Sequence, residues 1–313
     1  MTKTACIFPG QGSQAVGMGK LFHDNFPVAR EVFQEVDDAL GLALSKIMFE
    51  GPEATLTETA NAQPAIMATS IAILRVMEKE AGFSIKNSAL VAGHSLGEYS
   101  ALCAAGAFSL AATAALLRLR GEAMQRAVPL GEGGMSAILG LDLPAVELVV
   151  DEAGQGEVCE VANDNAPGQI VISGNIAAIA RAGEIAKAKG AKRALPLPVS
   201  APFHSSLMKP AAEEMAAAFV KNEAKAPAVP LLANVTADLV SDPGTIAELL
   251  VKQVTGRVRW RESVEKVGAL GVTKLIEIGH GNVLAGLAKR INGDLTAVSI
   301  NAPEAIDHYL KAA

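Results

Sequence analysis

The residues best suited to chemistry lie in the segment SALVAGHSLGEYSAL, which runs from Ser88 to Leu102. A short apolar run over residues 89–92 precedes Gly93-x-Ser95-x-Gly97, and a helix-forming stretch begins at Leu96. This pattern between a strand and a helix is typical of the nucleophile elbow, in which a sharp turn exposes a serine that can attack a carbonyl. The same pattern also occurs as a plain turn, so the motif alone leaves both interpretations open.

A serine nucleophile needs a base, which is usually histidine. His94 adjoins Ser95, but successive side chains at a strand end point to opposite sides, so we expect His94 to pack beneath the turn. His204 precedes a predicted helix whose positive end disfavours protonation, which leaves the imidazole free to accept a proton. The alternative is a loop histidine without a role. No acid is placed to complete a triad, so a backbone or amide carbonyl could accept the Nδ1 proton instead.

Arg120 is the second residue with chemical potential. It lies two positions after Arg118, so the two arginines face nearly opposite sides of a predicted helix, and Arg118 can pair with Glu122 as a solvated residue. The face of Arg120 is otherwise apolar: Leu116, Leu117, Ala123 and Met124. A buried arginine needs an anion, because an unpaired buried charge costs several kcal/mol. The spacing leaves three interpretations of Arg120 open. Its guanidinium could pair with a protein carboxylate, bind a substrate carboxylate through two parallel hydrogen bonds, or extend to the surface.

The loop PGQGSQAVGMG follows the first predicted strand, at the end of the strand where α/β proteins bind ligands. It lacks the lysine and the spacing of a phosphate-binding P-loop. An oxyanion hole fits better, because α/β serine enzymes take one amide from such a loop and the other from the residue after the nucleophile, here Leu96.

Composition excludes several classes of protein. The chain has 313 residues, of which 50% are hydrophobic and 19% are charged. This composition indicates a compact globular enzyme and not a disordered protein. A net charge of −6 and 4% aromatic residues argue against general nucleic-acid binding. The sequence contains three cysteines that lie far apart, Cys6, Cys103 and Cys159. We expect them to be reduced and not to bind a metal ion. No signal peptide or membrane span is predicted, and we expect a cytoplasmic protein.

Strand and helix patterns alternate along the chain, which predicts an α/β fold. Strands are predicted over residues 4–8, 89–92, 135–139, 158–162, 169–173, 193–195, 273–278 and 296–300. Helices are predicted over residues 64–80, 96–105, 110–127, 143–152, 176–189, 207–220 and 283–291. The β-α-β-β-α-β order after Pro129 is the ferredoxin-like signature. We therefore predict a small domain over residues 128–200 inserted into a larger domain of residues 1–127 and 201–313, with a binding cleft between them.

Several motifs together resemble the malonyl-CoA:acyl carrier protein transacylases. They occur in the family's order and spacing over nearly the whole chain: GQGSQ, GHSLGEYSAL, RGEAMQ, NDNAPGQIVISG, PFHSSLM and IGHGNVLAGLAKR. One departure is His280, where relatives commonly have proline. The resemblance implies an α/β-hydrolase-like large domain with an inserted ferredoxin-like small domain.

The resemblance also implies roles for individual residues. Ser95 would be the nucleophile, His204 the base and Gln253 the residue whose carbonyl holds His204. The amides of Gln11 and Leu96 would form the oxyanion hole. Arg120 would bind the malonyl carboxylate, and Phe203 would exclude a 2-methyl branch. Two further residues, Met124 and Asn163, are expected in the substrate site.

The implied substrates are malonyl-CoA and the phosphopantetheine thiol of acyl carrier protein, with no metal and no other cofactor. We expect a monomer that binds neither nucleic acid nor membrane. Acyl carrier proteins are acidic, so a basic patch on the insert is a candidate docking surface, although a solvated helix face explains the same charges: Arg181, Lys187, Lys189, Lys192 and Arg193.

Three other functions remain compatible with these residues. One is the malonyltransferase component of a malonate decarboxylase, which shares the chemistry but uses another carrier. The second is a serine hydrolase whose base is His280 or His308. The third is a non-catalytic scaffold for a carrier protein, in which Ser95 would be dispensable.

Overall fold

The computed structural model describes residues 3–306. Its strands, in chain order, are β1 (Thr4–Phe8), β2 (Val91–Gly93), β3 (Gly133–Leu139), β4 (Cys159–Ala166), β5 (Gln169–Asn175), β6 (Arg193–Pro196), β7 (Leu231–Leu232), β8 (Leu239–Val240), β9 (Lys274–Ile278) and β10 (Thr296–Ile300). All eight predicted strands are confirmed with small shifts at their ends. The two-residue strands β7 and β8 were not predicted, because they are too short to give a periodic pattern.

The helices in chain order are α1 (Lys20–Asn25), α2 (Pro27–Leu40), α3 (Leu44–Glu50), α4 (Glu53–Thr57), α5 (Thr59–Ala81), α6 (Gly97–Ala104), α7 (Leu110–Ala127), α8 (Leu143–Gly154), α9 (Ile176–Ala188), α10 (Lys209–Lys221), α11 (Pro243–Thr255), α12 (Trp260–Ala269) and α13 (Val283–Ile291). Two 3-10 turns cover Ile85–Asn87 and Ser206–Met208. Each predicted helix is present, although the one predicted over 207–220 begins with the second 3-10 turn. Helices α1–α4, α11 and α12 were not predicted.

The strands form two sheets in a mixed α/β fold. The larger sheet has the order β10-β9-β1-β2-β7-β8, in which the first five strands are parallel and β8 is antiparallel to β7. The smaller sheet has the order β4-β5-β3-β6 and is antiparallel throughout. Helices α8 and α9 pack on the smaller sheet and share an apolar cluster with it, which includes Ile138, Val146, Val149, Ile170, Ile172 and Ile179.

Helix α5 runs through the main apolar core and is buried on nearly all sides. It starts five residues earlier than the apolar pattern predicts, so Pro64 lies inside the helix. Proline cannot donate to the carbonyl four residues before it. Here that carbonyl belongs to Ala60, and it accepts a hydrogen bond from Arg118 Nη1 at 3.4 Å. A contact from another helix thus compensates for the proline.

Helices α5 and α7 approach each other closely at Gly121. A Cβ atom at this position would lie 2.6 Å from the Cα of Ala60 and 2.6 Å from the backbone oxygen of Thr59. Only glycine fits there without a shift of the backbone. This close approach places Arg120, the preceding residue on α7, against α5.

Candidate active site

Ser95 stands on a tight turn between β2 and α6. Its φ is 53°, a left-handed conformation that is unusual for a residue with a Cβ atom and is found at functional sites. The flanking glycines are needed for close approach: a Cβ on Gly93 would lie 1.9 Å from the oxygen of Gly97, and one on Gly97 would lie 2.3 Å from the oxygen of Phe8. The geometry is that of a nucleophile elbow.

His204 lies against the hydroxyl of Ser95. Its Nε2 is 2.7 Å from Ser95 Oγ, and its Nδ1 is 2.8 Å from the backbone oxygen of Gln253 and 3.2 Å from that of Gly256. Because a carbonyl oxygen can only accept, Nδ1 carries the proton and Nε2 is free to accept one from the serine. Backbone carbonyls therefore occupy the place that an acid has in a triad.

The surroundings of His204 keep its imidazole neutral. The side chain is 5% exposed, and burial together with the nearby positive charge of Arg120 lowers the pKa of His204 to about 3. The predicted cause, a helix N-terminus, is not the main one: the 3-10 turn separates the helix from His204, and burial lowers the pKa most. A neutral imidazole is the form that can act as a base.

Two backbone amides near Ser95 have no hydrogen-bond acceptor in the described chain. The N–H of Gln11, in the loop after β1, and the N–H of Leu96, directly after Ser95, donate to no acceptor among residues 3–306. Both loops lie at the carboxyl ends of neighbouring parallel strands, β1 and β2. Gln11 and Ser95 line one cavity, and the amides of Gln11 and Leu96 remain the predicted oxyanion hole at this place.

Arg120 reaches the same hydroxyl from α7. Its Nη2 is 3.3 Å from Ser95 Oγ and donates to Gln253 Oε1 at 2.7 Å, while Nη1 donates to Gln63 Oε1 at 2.7 Å. The guanidinium is 1% exposed and lies over the ring of Tyr99, 5.5 Å from its centroid. No carboxylate of the described chain lies within ion-pair distance, and Nε–H has no acceptor there. Arg118 instead pairs with Glu122 at 2.6 Å, as predicted.

The cavity at Ser95 has a volume of about 280 Å³ and is lined from both sheets. The smaller sheet contributes Met135 on β3 and Asn163 on β4, and the segment after β6 contributes Leu197 and Val199. Three more of the predicted site residues also line it, namely Met124, Phe203 and His204. A concave site that combines apolar side chains with convergent polar groups is typical of small-molecule binding.

Two histidines considered in the sequence analysis lie elsewhere in the site or outside it. His94 does not pack beneath the turn: it lines the cavity, and its Nε2 is 2.8 Å from Asn165 Oδ1. His280 lies in the loop after β9 and makes no contact with Ser95 among the described residues. His308 lies outside those residues.

Three polar residues that the sequence analysis did not predict complete the network. Asn234, between β7 and β8, accepts from the amide of Ser95 at 2.8 Å and donates to the oxygen of Gly93 at 2.7 Å. Gln63 and Glu98 contact Arg120 and Gln253, respectively. A polar side chain on a largely buried helix is a local sign of a functional residue, and Gln63 on α5 is such a case.

Over residues 3–306, no helix combines the length and apolar character that crossing a bilayer demands. The same part of the chain contains no group of three or more histidine, cysteine or acidic side chains arranged to bind a metal ion.

Comparison with known proteins places this geometry in a family. The family model of the acyl transferase domain matches residues 5–298. The malonyl CoA-acyl carrier protein transacylase of Bacillus subtilis is 48% identical over 98% of this chain and 96% of its own length. The crystal structure of an acyl-carrier-protein-S-malonyltransferase from Bartonella henselae is 56% identical, covers 99% of both chains and superposes with a TM-score of 0.96.

A third similar structure includes a carrier protein. It holds a type II PKS acyl-carrier protein in complex with its malonyl-transacylase, which is 43% identical to this chain, covers 100% of both chains and gives a TM-score of 0.96. The serine–histidine pair at the elbow and the similarity over the full length of the chain indicate the same family. The chain belongs to the acyl transferase domain family.

Proposed function

We propose that this enzyme transfers the malonyl group of malonyl-CoA to the phosphopantetheine thiol of acyl carrier protein through a malonyl-serine ester. The observation that carries the proposal is the buried Arg120, which lies 3.3 Å from the nucleophile and has no carboxylate partner among the described residues. A buried cation without a protein anion favours an anionic substrate. The names of the similar proteins support the same reaction.

In the first step, Ser95 Oγ attacks the thioester carbonyl carbon while His204 Nε2 takes the hydroxyl proton. The amides of Gln11 and Leu96 stabilise the oxyanion, and losing one such donor costs other enzymes about 3–4 kcal/mol. The C–S bond then breaks, and coenzyme A leaves with the proton from His204. Serine is now esterified by malonate, and its carboxylate pairs with Arg120.

In the second step, His204 removes the proton of the carrier's thiol. The sulfur attacks the ester carbonyl, the same two amides hold the oxyanion, and Ser95 recovers its proton from His204 as the ester bond breaks. Neither step requires a metal or a redox cofactor. The two half-reactions share one site, so ping-pong kinetics follow.

The remaining site residues position and select the acyl group in this proposal. The backbone carbonyl of Gln253 orients His204. Phe203 is 7% exposed and lines the cavity, and we propose that its ring excludes a 2-methyl branch. Met124 and Asn163 form further walls of the malonyl site, one from each side of the cavity.

We further propose that the larger unit is α/β-hydrolase-like, comprising residues 1–127 and 201–313, and that residues 128–200 form a ferredoxin-like insert. The strand order β4-β5-β3-β6 within a β-α-β-β-α-β sequence supports the insert. The parallel sheet with a serine elbow after β2 supports the larger unit. Three buried, unpaired cysteines are compatible with a reducing compartment, and we propose the cytoplasm.

Steady-state kinetics with malonyl-CoA and holo-acyl carrier protein test the reaction. We expect parallel lines in double-reciprocal plots, and we expect Ser95→Ala and His204→Ala each to abolish transfer. A serine hydrolase would instead release free malonate at a rate independent of the carrier. Transfer retained in His204→Ala would contradict the proposal and favour another base.

A further inference from the structure

The proposed steps leave one buried acid without a role. Glu98 lies on α6, three residues after Ser95, and is 1% exposed. No lysine, arginine or histidine of the described chain lies within ion-pair distance of it. Burying a carboxyl group without a partner is costly, so its hydrogen bonds are informative.

Glu98 is bonded to the amide of Gln253. Gln253 Nε2 donates to Glu98 Oε2 at 2.6 Å and to the backbone oxygen of Ser95 at 2.9 Å, and Gln253 Oε1 accepts from Arg120 Nη2 at 2.7 Å. The backbone N–H of Asn234 donates more weakly to Glu98 Oε1, at 3.4 Å. One amide thus connects the acid to the arginine that faces the nucleophile.

These contacts allow only one orientation of the amide of Gln253. A carboxylate and a carbonyl can only accept, and a guanidinium can only donate. Rotation of the amide by half a turn would place its oxygen against two acceptors and its NH2 group against Arg120. Since Gln253 is fully buried, no water would compensate for that mismatch. Glu98 therefore favours the orientation in which Oε1 faces Arg120.

Above its pKa, Glu98 also supplies a negative charge that does not contact the guanidinium. Burial raises the pKa of Glu98 to about 7, while the bonds from Gln253 and Asn234 and the charge of Arg120 oppose the rise. A carboxylate in direct contact would occupy the fork of Arg120 and compete with the substrate. With an amide between the two charges, the Nε–H of Arg120 keeps no acceptor in the described chain.

We propose that Glu98 is a positioning residue for acyl selectivity: it orients the amide of Gln253, which holds the guanidinium of Arg120 toward the malonyl carboxylate. This inference rests on the proposed function and names a further determinant of its specificity. Glu98 does not touch the reacting atoms, so its effect should appear with malonyl thioesters and not with acetyl thioesters.

The test compares Glu98→Leu and Glu98→Gln with the unaltered protein in malonyl and acetyl transfer at pH 8. Glu98→Leu removes the acceptor, and we expect kcat/KM for malonyl-CoA to fall about 10- to 100-fold more than for acetyl-CoA, the range expected for a lost bond to a charged group. Glu98→Gln retains an acceptor oxygen and should restore most of the malonyl preference. Ser100→Ala is the matched control, because this buried hydroxyl on the same helix has no partner in the described chain.

Equal losses for both substrates in a folded Glu98→Leu protein would overturn the proposal, as would a Glu98→Gln protein with the same selectivity defect as Glu98→Leu. If Glu98→Leu does not fold, Gln253→Leu provides the second test. It keeps the backbone carbonyl that holds His204, and it must also depress malonyl transfer more than acetyl transfer; equal depression overturns the proposal. An unaltered protein that forms no malonyl ester would instead reject the proposed function itself.

Discussion

Ser95, His204 and Arg120 come from three segments that are distant in the chain, yet all three meet at one hydroxyl. His204 contacts that oxygen at 2.7 Å and Arg120 at 3.3 Å. The histidine is held neutral, whereas the arginine keeps its charge in a buried position. In the proposed reaction, this combination separates the group that moves a proton from the group that binds the carboxylate.

Arg120→Ala is expected to reduce malonyl transfer by roughly 2–5 kcal/mol of transition-state stabilisation, because the substrate carboxylate loses a buried partner. Acetyl transfer, which needs no cation, should change little. Arg126→Ala is the control, since Arg126 lies on the same helix in an exposed pair with Glu214. The measurement is kcat/KM for both thioesters, and equal losses would make Arg120 a structural residue.

The lowered pKa of His204 predicts that its imidazole stays neutral from about pH 8 to about pH 5. A histidine whose pKa falls on folding binds fewer protons in the folded state than in the unfolded state. It therefore destabilises the folded state as the pH drops below 6.5, the usual pKa of histidine. NMR of the histidine ring, assigned with His204→Ala, measures this directly. A titration midpoint near 6.5 would contradict the account.

At the scale of elements, a partly buried ion pair connects β4 to α12. The carboxylate of Asp164 is 1% exposed and lies 2.9 Å from Arg261 Nη2. Burial raises the pKa of Asp164, and the bond from Arg261 opposes that rise. The neighbouring residue, Asn163, forms a β-bridge with Val258. These contacts fix the smaller sheet against the segment before α12 and so shape the cavity.

Arg261→Ala should therefore lower the free energy of unfolding by about 1–3 kcal/mol, because the carboxylate of Asp164 would lose its hydrogen-bonded partner. Lys266→Ala is the matched control: Lys266 lies on the same helix in an exposed pair with Asp238, and its loss should cost far less. Urea denaturation of both variants checks the prediction. Similar costs for the two would show that the Asp164 pair does not hold the elements together.

Local patterns predicted the elbow and the two longest helices, α5 and α7, but not all the elements that complete the site. Gly93-x-Ser95-x-Gly97 is readable because its constraint lies within five residues. Helix α11, which carries Gln253, was missed although Asp242 caps it and Pro243 occupies its first turn, both of which are start signals. The contacts of Glu98 and Asn234 join segments more than 130 residues apart, and no local pattern records them.

At the scale of the whole molecule, the carrier must reach the cavity between the two sheets. Three of the five candidate docking residues on the insert are in ion pairs, Arg181 with Glu157, Lys187 with Glu184 and Lys189 with Glu152. Within residues 3–306, the side chains of Lys192 and Arg193 have no acidic partner. The ion pairs reduce the positive charge that the patch can offer an acidic protein.

Charge reversal of Lys192 and Arg193 to glutamate is expected to raise the KM for acyl carrier protein several-fold and to leave the KM for malonyl-CoA unchanged. The effect should shrink at high salt, since exposed charges are screened. Lys187→Glu with Lys189→Glu is the control and should have the smaller effect. Equal changes in both KM values, or a larger effect in the control pair, would reject this docking surface.

Intact mass spectrometry after brief exposure to malonyl-CoA tests the central claim most directly. The account predicts a single malonyl adduct on Ser95 that disappears when holo-acyl carrier protein is added and that Ser95→Ala does not form. An adduct on another residue, or a native protein that stays unmodified while thioester is consumed, would contradict it.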